Sequence, residues 1–327
     1  MPKILQKLLD RLFLLRIPLL APAWTILILG WISGNQHVHI GGSFVGNNAE
    51  NSAINLWTIL TGFSLIVASI YVVNQIVDIE SDRINHKLFL LPNGIISVRT
   101  AWVCAFLCAI VGIGISFFYD VVILLLFISG LLLGYLYNLP PFQLKNRAWG
   151  GVLSNSLGHG MVTFLVGWYA SKIGTSIEPQ IFMKGLLSSI SPALANGAVF
   201  LATTIPDADG DQLTGKKTFC VKYGEKTTAI TAALFCFGAL GFSFFIENNF
   251  WVMAVPTIIS MIFFTSFAFL TKRDLAFKTF KWPVFLLSLS VALFVPEYGI
   301  LIITTFIGSR VYYQKRFGIE YPTFKSK

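Results

Sequence analysis

Two short clusters of polar residues carry most of the chemistry that this sequence displays. Asn74, Asp78 and Asp82 are spaced by four residues. Asp207 and Asp211 repeat that interval further along the chain. Residues four apart lie on one face of a helix, so each cluster can direct its oxygen atoms into one cavity. Mg²⁺ prefers oxygen ligands and is usually held by a few carboxylates with phosphates and water, so the spacing favours a site for Mg²⁺ and a diphosphate.

The acids of the chain are concentrated in these clusters. Of its 15 Asp and Glu residues, six lie within residues 74–82 and 207–211, namely Asp78, Glu80, Asp82, Asp207, Asp209 and Asp211. Carboxylates at a membrane boundary are costly unless they are paired or bound to a cation. A diphosphate bound between them would also need positive charge, which basic residues of the neighbouring loops can supply. The candidates for this role are Arg83, Lys87, Lys145, Lys216 and Lys217. Taken singly, each can equally be an orientation signal at the lipid headgroups.

The composition is that of an integral membrane protein. Of the 327 residues, 55% are hydrophobic and 12% are charged, and the mean hydropathy is +0.72. Soluble globular proteins contain roughly 25% charged residues, so this class is excluded. The formal charge of +9 is assigned to membrane topology, and no nucleic-acid partner is expected. The fold class that follows is an all-α polytopic membrane protein.

Apolar runs long enough for a hydrocarbon core of about 30 Å predict nine transmembrane helices, or ten if the last run folds back. They lie near Ile17 to Ser33, Asn55 to Val77, Thr100 to Phe118, Val121 to Leu139, Gly150 to Ala170, Gly185 to Ile205, Thr227 to Ile246, Phe250 to Thr271 and Trp282 to Tyr313. Residues 17–313 are therefore expected to form one transmembrane domain. Four spans separate the two clusters, which suggests two four-helix halves plus a terminal segment.

The two ends of the chain are predicted to lie outside the bilayer core. Residues 1–16 have the period of a helix on the membrane surface, with Leu5 and Leu8 on one face and Lys7 and Asp10 on the other. Residues 314–327 are interpreted as a basic tail.

The distribution of basic residues predicts which side the clusters face. With the N-terminus in the cytoplasm, most of the 24 Lys and Arg residues fall in cytoplasmic loops, as the positive-inside rule requires. Both clusters then face the cytoplasm. Basic residues beyond the last apolar run favour a terminal hairpin that turns near residues 296–299, although each arm would be short for a full crossing. Nine and ten spans both stay open.

The motifs resemble those of the UbiA superfamily of intramembrane prenyltransferases across essentially the whole chain. The family pattern is N-x-x-x-D-x-x-x-D after the second helix and D-x-x-x-D after the sixth, and residues 74–82 and 207–211 match both. Residues 205–224 are similar to the family's second motif, and residues 137–145 to its stretch after the fourth helix. Together these matches are specific, whereas either motif alone would be weak.

The resemblance implies a helical bundle around a central cavity with a cytoplasmic cap. It implies four catalytic aspartates that also bind metal, joined by one asparagine: Asp78, Asp82, Asp207, Asp211 and Asn74. It also implies a pocket for the prenyl chain and the acceptor, lined by Tyr137, Asn138 and Asn155. An aromatic ring there suits an allylic cation, because a cation over a ring is stabilised.

Two departures from the family pattern bear on the phosphate contacts and on the acceptor. Phe89 stands where a second Arg is common, so that Lys87 or His86 would have to supply its charge. Thr204 occupies the place where an extra Asp often precedes the isoleucine of the second motif. The metal ligands are unaffected by both changes.

The sequence therefore predicts an enzyme that moves an isoprenyl chain from a polyprenyl diphosphate to an aromatic or lipid-precursor acceptor. Mg²⁺ is the expected cofactor, and diphosphate the expected leaving group. A terpene cyclase of the same fold, which needs no external acceptor, is the alternative. A transporter is less favoured, because its polar residues should lie near the middle of the spans, whereas these acids cluster at one face.

Overall fold

A computed structural model describes residues 3–36, 38–41, 49–84, 90–175 and 178–323, and most of these residues lie in helices. The helices are α1 (Lys3–Leu14), α2 (Ile17–Gly34), α3 (Ala49–Val77), α4 (Ile79–Ile84), α5 (Val98–Phe117), α6 (Val121–Asn138), α7 (Ala148–Asn155), α8 (Thr163–Ala170), α9 (Pro179–Thr203), α10 (Ala208–Leu213), α11 (Phe219–Ser243), α12 (Trp251–Leu270), α13 (Arg273–Phe294) and α14 (Pro296–Phe317). A 3₁₀ turn covers Leu144–Asn146, and a π-helical turn covers Ser156–Val162.

Membrane-length helices make up most of the fold. Among the described residues, eight helices are long and apolar enough to cross a bilayer, namely α2, α3 from Ser52, α5, α6, α9, α11, α12 and α13. Large apolar side chains such as Phe106, Ile110 and Leu125 are exposed on the outer helices, which suits a surface covered by lipid. A helix satisfies its own backbone groups, as a chain in lipid must. The all-helical, multi-pass membrane fold is confirmed.

The predicted fifth span is helical but is divided by the π-helical turn. α7, this turn and α8 follow one another without a gap from residue 148 to residue 170. Such turns are frequent at functional sites, because they change which side chains face a given direction. Here the segment brings Asn155 and His159 to the wall of the same cavity.

The last apolar run forms two helices, as the hairpin alternative requires. Pro296 begins α14 directly after α13, in the first helical position that proline favours. The end of α13 lies near the α2–α3 connection, since the Gly41 N–H donates to the Leu293 carbonyl (2.9 Å). The far end of α14 lies beside α1, where Tyr312 donates to Asp10 (2.7 Å). α14 therefore runs back along the bundle.

α1 forms a helix with an exposed apolar face, but one of its polar residues is buried. Leu5 and Leu8 are exposed, as expected for a helix on a membrane surface. Asp10, expected on the opposite polar face, is only 5% exposed. The reason is an ion pair with Arg316 (Nε to Oδ1, 3.1 Å). Arg316 belongs to α14, which continues to Phe317 and so includes the first residues of the predicted tail.

α2 is buried on most sides and packs closely against α8. Its residues 23–34 are all buried, which explains why this helix is apolar all round. A Cβ atom at Gly30 would collide with the Phe164 carbonyl oxygen, and one at Gly167 with the Leu27 carbonyl oxygen. Small residues allow membrane helices to approach each other in this way. The glycines therefore hold α2 in place at the centre of the bundle.

Gly167→Val should destabilise the protein, because the added side chain has no room between α8 and α2. The free energy of unfolding should fall by about 1–3 kcal/mol. Thermal unfolding in detergent measures this change as a lower midpoint temperature. Gly114→Val is the matched control, since a Cβ at Gly114 meets no atom within 4 Å. Equal midpoints for the two variants would contradict this packing.

Candidate active site

The first polar cluster continues the helix of α3 beyond its end. The Asp78 N–H donates to the Asn74 carbonyl (3.0 Å), and the Asp82 N–H donates to the Asp78 carbonyl (2.8 Å). Helical spacing is thus kept across the junction with α4. All three side chains line one polar cavity, as the four-residue interval predicts.

The second cluster lies on α10, across the same cavity. The Asp211 N–H donates to the Asp207 carbonyl (2.9 Å), so one helical turn separates these aspartates, and both line the cavity. Asp209 accepts a hydrogen bond from Arg273 (NH2 to Oδ1, 3.0 Å). This hydrogen bond and the charge of Arg273 lower the pKa of the Asp209 carboxyl below its ordinary value. Asp207 and Asp211 are therefore the members of this cluster that contribute to the cavity wall.

One lysine lies between the two clusters. The Lys216 Nζ is 3.9 Å from Asp78 Oδ1 and 4.0 Å from Asp211 Oδ1. The positive charge of Lys216 lies close to both carboxylates and so offsets the repulsion between them. The two acidic helix ends thus meet around one ammonium group.

A helix C-cap places Lys216 at this point. At the end of α10, the Gly215 N–H donates to the Gln212 carbonyl (3.1 Å). The Lys216 N–H donates to the Asp211 carbonyl (2.9 Å). This pair of bonds is the Schellman motif, which needs a residue with positive φ, and Gly215 has a φ of 73°. The turn therefore directs the chain back over Asp211.

Lys145 is the second lysine of the cavity and is only 8% exposed. Its Nζ donates to Asp78 Oδ2 at 2.8 Å. Burial lowers the pKa of Lys145, and the negative charge of Asp78 opposes this shift. The 3₁₀ turn that carries Lys145 is joined to the loop after α10, because the Lys217 N–H donates to the Asn146 carbonyl (3.2 Å). The two lysine-bearing loops are thereby held side by side.

Asn74 connects the first cluster to neighbouring helices. Its Nδ2 donates to Asp78 Oδ2 (3.0 Å) and to Asn138 Oδ1 (2.8 Å). Its Oδ1 accepts from Arg16 NH1 at 3.4 Å. Asn138 ends α6 and Arg16 precedes α2, so three helices meet at this amide.

The polar cavity has a volume of about 480 Å³ and adjoins a deeper cavity of about 380 Å³. The residues that line both are Arg16, Asn74, Tyr137, Phe200 and Thr203. The deeper cavity is mainly apolar, and the predicted pocket residues Tyr137, Asn138 and Asn155 all line it. A charged mouth that leads into an apolar pocket suits a ligand with a charged head and an apolar tail.

The predicted diphosphate-binding residues do not all reach this cavity. Lys145 and Lys216 line it. Arg83 is exposed and pairs with Glu80 at 2.9 Å. It follows Asp82 directly, and consecutive residues of a helix lie on different faces. The Lys217 side chain is also exposed, since consecutive residues of an extended segment point to opposite sides. Lys87 lies outside the described residues, as do His86 and Phe89.

Three further cavity residues were missed by the sequence predictions. The Arg16 Nε, Asn146 Oδ1 and Thr218 Oγ1 atoms are buried, and within the described part of the chain they have no hydrogen-bond partner. Such atoms are costly unless a ligand or water satisfies them. In the sequence, Arg16 is one of the basic residues whose distribution predicts membrane orientation, and no pattern marks it as a ligand. No sequence pattern distinguishes Asn146 or Thr218 from ordinary loop residues.

The donor set of the cavity suits a hard cation. Carboxylate, amide and hydroxyl oxygens are ligands that Mg²⁺ prefers. Over the described ranges, no three His, Cys, Asp or Glu side chains lie close enough to form a metal centre alone. Mg²⁺ usually completes its shell with phosphate oxygens and water, so a metal ion here would depend on a bound phosphate group.

Comparison with known proteins identifies the family. A profile of the UbiA prenyltransferase family matches residues 38–290. The chain belongs to the UbiA prenyltransferase family. The matched residues include both clusters and Lys145, whereas α1, α2 and α14 lie outside them.

Similar plant proteins match part of the chain. The chain is 28% identical over 183 residues to the probable homogentisate phytyltransferase 2, chloroplastic, of Oryza sativa subsp. japonica. This alignment covers 54% of the chain and 48% of the phytyltransferase. The chain is 24% identical over 287 residues to the chloroplastic chlorophyll synthase of the same organism, which covers 82% and 71%. The chain thus spans about half the length of the phytyltransferase.

Solved structures share the fold. A UbiA homolog from Archaeoglobus fulgidus bound to DMAPP and Mg²⁺ aligns with a TM-score of 0.69 at 17% identity, covering 90% of this chain and 99% of that one. A digeranylgeranylglyceryl phosphate synthase aligns with a TM-score of 0.66 at 21% identity, covering 89% and 98%. The UbiA-type helical bundle is therefore confirmed.

Lys145→Met should weaken the binding of inorganic diphosphate in the presence of Mg²⁺. The expected rise in Kd is about tenfold, the usual effect of losing one charged hydrogen bond, and calorimetric titration of the detergent-purified protein measures it. Lys217→Met is the matched control, because its exposed side chain does not line the cavity. An unchanged Kd in Lys145→Met would remove this lysine from the site.

Proposed function

We propose that this protein is an intramembrane prenyltransferase, which transfers an isoprenyl chain from a polyprenyl diphosphate to an aromatic or lipid-precursor acceptor. The observation that carries the proposal is the position of the Lys216 Nζ, 3.9 Å from Asp78 and 4.0 Å from Asp211. Acids from two helices and the cations that balance them surround one cavity, and this cavity leads into an apolar one. The charged head and apolar tail of a prenyl diphosphate match this pair of cavities.

We propose Mg²⁺ as the cofactor. The residues that would hold it with the diphosphate are Asn74, Asp78, Asp82, Asp207 and Asp211. The buried oxygens of Asn146 and Thr218 are further donors of the type that Mg²⁺ prefers. When bound, Mg²⁺ stabilises the negative charge that develops on a departing diphosphate. The Archaeoglobus structure bound to DMAPP and Mg²⁺ supports this assignment.

The basic residues of the cavity would bind the diphosphate and assist its departure. As the bond between the allylic carbon and the diphosphate oxygen breaks, negative charge accumulates on the diphosphate. The ammonium groups of Lys145 and Lys216 and the buried Nε–H of Arg16 are placed to stabilise this charge. Their positions are set before substrate binds, which is what makes such electrostatic stabilisation effective.

The remaining fragment is an allylic cation, and the deeper cavity would hold it. Tyr137 lines both cavities, and its aromatic ring can stabilise a cation. The apolar walls would keep water from the cation and so limit hydrolysis. The acceptor then supplies the electron pair for the new bond to the allylic carbon and loses a proton.

Named relatives support the class of acceptor. The homogentisate phytyltransferase of Oryza sativa favours an aromatic acceptor. The digeranylgeranylglyceryl phosphate synthase favours a lipid precursor. Both classes can place an apolar body near the membrane and a nucleophilic atom near the charged mouth.

We infer that the site faces the cytoplasm. α1, the two lysine-bearing loops and the C-terminal end of α14 carry many basic residues at the end of the bundle where the polar cavity opens. The positive-inside rule assigns such an end to the cytoplasm. The acids of both clusters follow the membrane-length helices α3 and α9, on or beside the short helices α4 and α10. They do not lie near the middle of spans, as a transporter would need.

The direct test uses purified protein in lipid with labelled geranylgeranyl diphosphate, Mg²⁺ and a panel of phenolic and glycerol phosphate acceptors. We expect diphosphate release that depends on the acceptor, together with a prenylated product. A cyclic hydrocarbon formed without acceptor would identify a terpene cyclase instead. Absence of diphosphate release with every acceptor would contradict an enzyme of either kind.

Asp78→Ala and Asp207→Ala should each reduce kcat by about 100-fold or more, as expected when a group that stabilises transition-state charge is lost. Asp209→Ala is the control, because this residue belongs to the same cluster but pairs with Arg273. Size-exclusion chromatography establishes that each variant is folded. Near-normal rates in both test variants would refute the proposed metal site.

A further inference from the structure

A buried carboxylate joins the first helix of the chain to the last. Asp10 on α1 accepts hydrogen bonds from the Tyr312 hydroxyl (2.7 Å) and from Arg316 Nε (3.1 Å) and NH2 (3.3 Å) on α14. A buried ion pair is costly unless further hydrogen bonds satisfy its charges, and the tyrosine supplies one. The pair therefore fixes one relative position of the two helices.

Aromatic packing strengthens the same contact. The Phe13 ring stacks on Tyr312 with centroids 3.8 Å apart and planes 4° apart. Tyr313 meets Phe13 edge-on, with centroids 5.7 Å apart. An edge-to-face pair at this distance stabilises a contact beyond the effect of buried area, and the parallel rings of Phe13 and Tyr312 bury apolar surface between the two helices. The last turn of α1 is thus held by both polar and apolar contacts to α14.

This last turn leads directly to Arg16. The Leu14 carbonyl accepts from the buried Gln75 Nε2 at 2.8 Å, which holds the chain beside Asn74. Arg16 itself has a left-handed backbone with φ of 55°. For a residue other than glycine this conformation is uncommon and persists only when its surroundings enforce it. The contacts of α1 are such surroundings.

The end of α14 and the residues after it pack against the turn that leads to Arg16. Tyr313 belongs to α14, and Tyr321 follows it in the chain. They pack in the same cluster as Phe13 and Leu14. The guanidinium reaches Asn74 (3.4 Å), at the boundary between the polar and the apolar cavity.

We propose that Asp10, Phe13, Tyr312 and Arg316 form a clamp between α1 and α14 that positions Arg16 to bind the diphosphate. This inference rests on the proposed function. Arg16 would touch the substrate, whereas Asp10 and Arg316 act through it and are positioning residues. The clamp lies outside the residues that the family profile matches.

The physical effect of the clamp is preorganisation. An arginine side chain has many rotamers, and ordering it on binding reduces affinity. A guanidinium that is already held at the cavity avoids this loss. Weakening the clamp should therefore raise the Kd and KM for the prenyl diphosphate more than it lowers kcat.

The test is a double-mutant cycle on the full-length protein, with calorimetric Kd values for geranylgeranyl diphosphate in the presence of Mg²⁺. Arg16→Gln and Arg316→Gln should each raise the Kd by about tenfold. The double variant should bind no more weakly than Arg16→Gln alone, because the clamp acts through Arg16. If the two sites were independent, their free energies would add and the Kd of the double variant would rise by about 100-fold. That result would overturn the proposal. An unchanged Kd in Arg316→Gln would also overturn it.

Two further variants keep the test sharp. Arg310→Gln is the matched control, because Arg310 lies on the same helix and pairs with the exposed Glu320 (3.3 Å), so its Kd should equal that of the unmodified protein. Tyr312→Phe keeps the ring that stacks on Phe13 and removes only the hydroxyl, which serves if Arg316→Gln does not fold. It should raise the Kd, and this rise should vanish in the Arg16→Gln background. A rise that persists there would contradict the clamp.

Binding and turnover separate this inference from the proposed function. Binding of geranylgeranyl diphosphate without transfer to any acceptor would contradict the proposed function, and the cycle would still test the clamp. Transfer with additive Kd effects would overturn the clamp alone. Failure of the unmodified protein to bind would overturn both.

Discussion

Asp78 lies where α3 ends, and its two carboxylate oxygens face two different lysines. Lys145 donates to one oxygen at 2.8 Å, and Lys216 lies 3.9 Å from the other. A carboxylate in this partly buried position would be costly without counter-charge. Each lysine comes from a different loop, and Lys216 also approaches Asp211. Charge balance around Asp78 therefore holds together the loops and helix ends that form the polar cavity.

Local structure provides the geometry that this charge balance needs. The glycine C-cap of α10 turns Lys216 back over Asp211, and the bond from Lys217 to Asn146 joins the two loops. α2 is held at the centre by its close approach to α8, and it follows Arg16 in the chain. The same principle recurs at the buried Asp10, whose charge is balanced by α14. Counter-charges thus tie the ends of the bundle to the cavity.

The spacing of residues along the sequence predicts which side chains share one face of a helix. The intervals between Asn74, Asp78 and Asp82 place them on one face, as observed. The direction of a side chain in a loop depends on backbone turns, which is why Lys216 points inward and Lys217 outward. The role of Arg16 depends on contacts between elements far apart in the chain, and no local pattern encodes it. For the same reason, the polar face predicted on α1 does not reveal that Asp10 pairs with Arg316 of α14.

The most direct test of the central claim is an experimental structure of the protein with inorganic diphosphate and Mn²⁺ in place of Mg²⁺, in which anomalous scattering locates the ions. The account predicts ions in the polar cavity between the end of α3 and α10, ligated by aspartates of both clusters. Phosphate oxygens should then lie within hydrogen-bonding distance of Lys145 and Lys216. Ions held by one cluster alone, or bound outside this cavity, would contradict the account.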